Sequence, residues 1–229
     1  MRRRLVLFDI DGTLVTDGGA SRSAFRDALH HVYGYQGDLQ RYDFSGRTDP
    51  QITSMVLRDA GWADDAIAAR HDDLWREYLS GLARNATSAR VRALPGIAAL
   101  LDAVRKQQHV TMALLTGNIE PGARLKLTPP ELNGFFVFGA FGSDSAKREE
   151  LPPIAVERAS RIAGYHFKGA DVVIIGDSIH DVRCGAPYQA TTIAVASGKT
   201  PAEQLKAENP THFFESAEDS DGLLQAILE

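Results

Sequence analysis

The stretch "VLFDIDGTLV" at residues 6–15 ends an apolar run in two carboxylates, Asp9 and Asp11, two positions apart. Asp11-Gly12 is a common turn pair, and a turn alone would account for it. The other reading is that a buried strand delivers two acids to a site. Side chains two apart on a strand share a face, so both acids would reach one point in space. Other strand ends decide between the two readings.

Three further stretches look like the first. "VTMALLT" (110–116), "DVVIIGD" (171–177) and "TTIAVAS" (191–197) join "RLVLFD" (4–9) as continuous apolar runs rich in Val, Ile and Leu. Such runs suit strands buried on both faces of a parallel sheet. Helical patterns separate them. "PGIAALLDAVRKQ" (95–107) puts Ile97, Leu100, Leu101 and Val104 on one face, and "LPPIAVERASRIAG" (151–164) puts Ile154, Val156, Ala159 and Ile162 near one face, with Gly164 as a stop. Alternating strands and helices predict an α/β fold, a doubly wound parallel sheet with right-handed crossovers.

Residues 15–87 break that rhythm, and no strand is evident there. Ala24, Phe25, Ala28, Leu29 and Val32 follow helical spacing from Ser21. Thr48 and Gln51 form a capping-box pair before Ile52, Met55 and Val56. Ile67, His71, Leu74, Trp75, Tyr78 and Leu82 continue the pattern, with His71 read as a packed core histidine. The expected division is therefore an α/β core of residues 1–14 and 88–229 with an α-helical cap domain of residues 15–87 inserted after the first strand.

Composition narrows the class. The chain has 229 residues, 44% hydrophobic and 24% charged, with net charge −5. That balance does not favour a nucleic-acid partner. No run of about 18 apolar residues is present, so no membrane span is expected. Arg2, Arg3 and Arg4 precede an apolar run too short for a signal sequence. The lone Cys184 permits no internal disulfide and reads as a small buried apolar group. A cytoplasmic location fits all of this. Oligomeric state is not legible.

Ligands of open α/β sheets bind at the carboxyl ends of the strands. The first strand ends in Asp9 and Asp11, the second in Thr116-Gly117-Asn118, the third in Gly176-Asp177-Ser178 with Asp181 one turn on. Adjacent parallel strands would crowd four carboxylates into one crevice, and like charges so close need a cation. Carboxylate oxygens without His or Cys favour Mg²⁺. The Thr116 hydroxyl and the N–H groups of Gly117 and Asn118 can cradle a phosphate. Together these features suit phosphoryl transfer.

The D-x-D-G-T of residues 9–13, the strand-terminal Thr116 and the G-D-S-x-x-D of residues 176–181 resemble the haloacid dehalogenase superfamily, specifically its phosphatase branch with a helical cap, as in phosphoglycolate phosphatase. The resemblance implies a Mg²⁺-dependent phosphoric monoester hydrolase acting on a small phosphorylated metabolite. It implies that Asp9 is the nucleophile that becomes an aspartyl-phosphate and that Asp11 is the general acid/base. It also implies that Thr116 binds the transferring group and that Asp9, the Asp11 carbonyl, Asp177 and Asp181 form the metal site. The family's lysine in a K-P motif is absent. Lys147 and Arg148 both stand in its place, and similarity to members with R-x-E-L at Arg148-Glu149-Glu150-Leu151 favours Arg148. Arg adds a planar fork for Asp9 and phosphate. Asp11 argues against dehalogenase and phosphonatase members, which lack that carboxylate. A phosphomutase resembling β-phosphoglucomutase is the runner-up, and a non-catalytic regulatory protein on the same fold is the alternative from another class. In "FSGRTDPQI" (44–52), Arg47 stands beside a helix N-terminus. Similar G-x-T-D segments in the family face the active site, so Arg47 is expected at the substrate's non-reacting end, against the reading of a solvated surface arginine.

Overall fold

Strand β1 (Arg4–Phe8) is buried at all five positions and lies inside the sheet. The structure is a computed structural model that describes residues 2–229. Two short strands, β2 (Val15–Thr16) and β3 (Arg92–Ala93), pair as a separate antiparallel ribbon. The main sheet adds β4 (Val110–Thr116), β5 (Gly139–Phe141), β6 (Val172–Gly176), β7 (Thr191–Val195) and β8 (His212–Phe214). Its order is β5-β4-β1-β6-β7-β8, and every pairing is parallel. The chain runs outward from β1 through β4 to β5, then returns past β1 to β6. The carboxyl ends of β1, β4 and β6 therefore stand side by side at the point where the strand order reverses.

Residues 15–87 hold α1 (Ala20–Tyr33), α2 (Asp49–Asp59), α3 (Asp64–Ala68) and α4 (His71–Asn85). The core helices are α5 (Ile97–Arg105), α6 (Glu120–Leu127), α7 (Leu151–Ala163), α8 (Ile179–Gly185), α9 (Ala202–Ala207) and α10 (Ser220–Leu228). Strand alternation sorts the core. Val6 and Phe8 pack with α5 and α10, whereas Leu5 and Leu7 pack with α7 and Cys184 of α8. The apolar layer above Val6 and Phe8 continues through Ile10 and Leu14 into α1 and α4, where Phe25 meets Tyr78 edge-to-face with centroids 5.7 Å apart. Cys184 is buried, and that burial pushes its thiol up to about 12.

Several local expectations need correction. β1 and β6 stop at Phe8 and Gly176, so Asp9 and Asp177 lie just past their strands. The ribbon strand β2 falls at the start of the stretch where no strand was expected, and two residues are too few to show a period. Ile162 holds the angular position of the buried face of α7, but it sits in the last turn and is 62% exposed. Val156 and Ala159 are buried as expected, and Leu151 and Ala155 complete the buried ridge. Thr48 does cap α2, accepting from the Gln51 N–H at 3.2 Å, yet Gln51 makes no return bond among the described residues, so only half of the box forms. His71 is half-buried beside Trp75 and lies outside the site described next.

Candidate active site

Asp9 follows β1, Asp177 follows β6, and Asp181 is the third residue of α8. Each is at most 6% exposed. One carboxylate oxygen from each can be chosen so that all three lie within 4.8 Å of one another. Local chemistry fixes each in place. Ser178 caps α8 and forms a full capping box with Asp181, whose Oδ2 accepts from the Ser178 N–H at 3.0 Å. Asp177 Oδ1 accepts from the Thr13 hydroxyl at 3.0 Å. Gly12 has φ 85° and lies directly against the Asp177 carboxylate. Any side chain there would be strained and would displace that acid.

Arg148 is 4% exposed and reaches this cluster from the turn before α7. Its Nη2 donates to Asp9 Oδ1 at 3.2 Å, to Asp181 Oδ1, and to the Leu115 carbonyl at 3.4 Å. One nitrogen makes every contact and Nε has no partner, so the expected two-pronged use of the fork is not realised. Lys147 points outward and pairs with Glu150 at 3.2 Å.

Three buried acids against one guanidinium leave an excess of negative charge. Burial, followed by Asp181, pushes Asp9 up to about 7 against the pull of Arg148. Burial, Asp9 and Asp181 push Asp177 well above the carboxylate range. Burial disfavours the Arg148 charge, but Asp181 and Asp9 more than offset it and hold the guanidinium protonated. All-oxygen donors with unbalanced charge fit a hard divalent cation such as Mg²⁺.

The Asp11 carboxylate is not part of this cluster. Its Oδ2 accepts from Asn118 Nδ2 at 2.7 Å and from Lys126 Nζ at 2.6 Å. Thr116 is fully buried, and its Oγ1 accepts from Asn118 Nδ2 at 2.8 Å. Gly117 faces the loop before α2. Its carbonyl accepts from the Asp49 N–H at 2.8 Å, and its Cα lies against the Arg47 backbone too closely to admit a side chain. Arg47 is half-buried, its Nε donating to the Asp43 carbonyl at 3.1 Å. A cavity of about 470 Å³ brings these groups together, with Asp9, Asp11, Thr116 and Arg148 on the core side and Phe44 and Arg47 on the helical side.

Five charged residues of this cavity were missing from the sequence reading: Asp17, Arg22, Asp49, Lys126 and Lys199. Burial raises Asp49 to about 6, against the pull of Lys126 and of the Ile119 N–H that donates to it at 2.9 Å. Burial would also raise Asp17, but Lys126 and bonds from Ser21 and Gly19 outweigh it and hold that acid below its usual range. Lys126 stays firmly protonated. Burial opposes its charge, and Asp11, Tyr78, Asp17 and Asp49 overcome that opposition. The only signal in the sequence was a lysine between two leucines on a short amphipathic helix, which reads equally well as a solvated side chain.

Residues 6–186 match the family model of haloacid dehalogenase-like hydrolases. The chain belongs to that family. Among curated relatives, the tyrosine-protein kinase PtkA of Mycobacterium tuberculosis H37Rv is 27% identical over 210 residues, covering 91% of this chain and 67% of its own. The phosphoglycolate phosphatase of Pseudomonas syringae pv. tomato is 25% identical over 211 residues, covering 90% and 74%. A solved hydrolase from Pseudomonas syringae superposes with a TM-score of 0.74 at 19% identity, over 97% of this chain and 98% of that one. This hydrolase is phosphatase-like, with the parallel α/β sheet of its family. Among the described residues no helix is long and apolar enough to cross a membrane.

Proposed function

We propose that this hydrolase is a Mg²⁺-dependent phosphatase that cleaves a small phosphate monoester through an aspartyl-phosphate on Asp9, in the manner of phosphoglycolate phosphatase. The observation that carries the reading is the meeting of Asp9, Asp177 and Arg148, with Asp181 beside them, at one wall of a cavity whose other wall is the helical insert. We assign residues 15–87 as the cap over that cavity and the β2–β3 ribbon as its seam with the core. Arg148 stands where it can neutralise Asp9 and the incoming phosphoryl group. Thr116, Gly117 and Asn118 receive the phosphoryl oxygens. Mg²⁺ held by Asp9, the Asp11 carbonyl, Asp177 and Asp181 would offset the charge that Arg148 leaves unbalanced. Asp11 gives a proton to the departing oxygen and takes one from the water that cleaves the aspartyl-phosphate. Arg47 meets the substrate's distal end.

The test is Asp9→Asn. An amide cannot attack phosphorus, so turnover of p-nitrophenyl phosphate falls by about 10²-fold or more while the melting transition persists. Retained turnover would remove Asp9 from the nucleophile's role. A phosphomutase would use the same Asp9 and Asp11, and it is distinguished by failing to release inorganic phosphate in stoichiometric amounts.

A further inference from the structure

We propose that Lys126 is a positioning residue for Asp11, fixing one oxygen of that carboxylate so that the other stays presented to the cavity. The proposal rests on the reading of Asp11 as the proton carrier. Lys126 is the penultimate residue of α6 and is 3% exposed. Its Nζ donates to Asp11 Oδ2 at 2.6 Å and to Asn118 Oδ1 at 2.5 Å. An ammonium only donates, so it fixes which end of the Asn118 amide faces it. The other end, Nδ2, then donates to both Asp11 Oδ2 and the Thr116 hydroxyl. Asp11, Asn118 and Lys126 thus close a ring of hydrogen bonds. Asp11 Oδ2 takes two donors, and Oδ1 takes none among the described residues.

The Asp11 side chain is 41% exposed and is not held by packing alone. The ring is what restricts it. A purely structural reading would have Lys126 neutralise the acids where the insert meets the core. Asp17 and Asp49 are the acids of that seam, yet neither forms an ion pair with Lys126 within 4.0 Å, whereas Asp11 does. The contacts select the catalytic acid.

The two half-reactions separate these roles. In the first, the ester oxygen–phosphorus bond breaks as an Asp9 oxygen–phosphorus bond forms, and the departing oxygen takes the Asp11 proton. In the second, water bonds to phosphorus, passes a proton to Asp11, and the Asp9–phosphorus link breaks. Nitrophenolate leaves without a proton, so only the second step on p-nitrophenyl phosphate needs a placed Asp11.

The experiment is rapid-quench kinetics of the full chain with Mg²⁺ and p-nitrophenyl phosphate, comparing wild type with Lys126→Met. We expect steady-state kcat to fall by about 10²-fold, as for a misplaced catalytic group. We expect the first equivalent of nitrophenolate to appear at close to the wild-type rate, with KM falling alongside kcat as phosphoenzyme accumulates. Thermal melting checks folding. If Lys126→Met does not fold, Lys126→Gln, which keeps a neutral donor, goes through the same measurement, with a burst and a smaller fall in kcat expected. An unchanged kcat, or a first turnover slowed as much as the steady state, overturns the positioning role while leaving the phosphatase reading intact. A wild type that forms no phosphoenzyme overturns the phosphatase reading, and this proposal with it.

Discussion

Arg148 and Lys147 are chain neighbours of like charge that the fold treats oppositely. Arg148 is buried against Asp9 and Asp181, while Lys147 is 69% exposed and paired with a solvated Glu150. An exposed pair of that kind contributes little to stability. Removing Arg148 leaves two buried carboxylates without their cation. Arg148→Ala is therefore expected to lower turnover of p-nitrophenyl phosphate by about 10²-fold or more, and Lys147→Ala to leave it within about twofold. Because a single Nη2 makes all the Arg148 contacts, Arg148→Lys should recover part of the loss. Steady-state kinetics of the three variants checks this ranking, and equal losses at 147 and 148 would refute it.

The loop before α2 carries the contact between insert and core. Thr48 donates to the Ala146 carbonyl at 2.6 Å, the Asp49 N–H donates to the Gly117 carbonyl, and Arg47, just before them, lines the cavity. The Arg47 Nε also donates back to the Asp43 carbonyl at 3.1 Å, so the side chain is placed rather than loose. If it reads a distal anion, Arg47→Ala should cut kcat/KM severalfold or more for a substrate with a second charged group and leave p-nitrophenyl phosphate nearly unchanged. Equal loss on both would assign Arg47 to closure of the loop over the site. At this scale the sequence was readable where an element had length and purity. The buried runs that became β1, β4, β6 and β7 reveal themselves by continuous Val, Ile and Leu. The three-residue β5, opening at Gly139, and β8, "HFF" at 212–214, are too short for any period to appear. α6 was missed because Pro121 and Gly122 occupy its first turn and only eight residues carry it. Losing α6 meant losing Lys126, whose meaning depends on which strand end its helix leans over. Asp9 and Asp177 were legible because they directly follow long apolar strands, and Asp181 because it lies one turn beyond Asp177.

At the scale of the whole molecule, the site is a local cost that a bound cation would relieve. Asp9 rises from 3.8 to about 7 on folding, chiefly through burial and Asp181. The folded state therefore binds its proton more tightly than the unfolded chain. That preference stabilises the metal-free protein below about pH 4 and is lost as pH rises through about 7. Asp177, raised in the same direction, adds to the trend. A divalent cation competes with those protons for the same oxygens, so its binding strengthens as they leave. Mg²⁺ bound only by the folded site would stabilise it by mass action, about 2.7 kcal/mol at a hundredfold excess over Kd. The gain in Tm on adding Mg²⁺ to chelator-treated protein should thus grow from pH 5 to pH 8. Without the metal, this cluster's contribution should make Tm decline over the same interval, and Asp177→Asn should flatten both trends by removing one buried charge. Differential scanning calorimetry at fixed ionic strength measures all of these. An absent Mg²⁺ shift would mean that the three carboxylates hold protons rather than a metal and that Arg148 alone balances the site, and an equal shift at both pH values would mean that no proton competes with the metal.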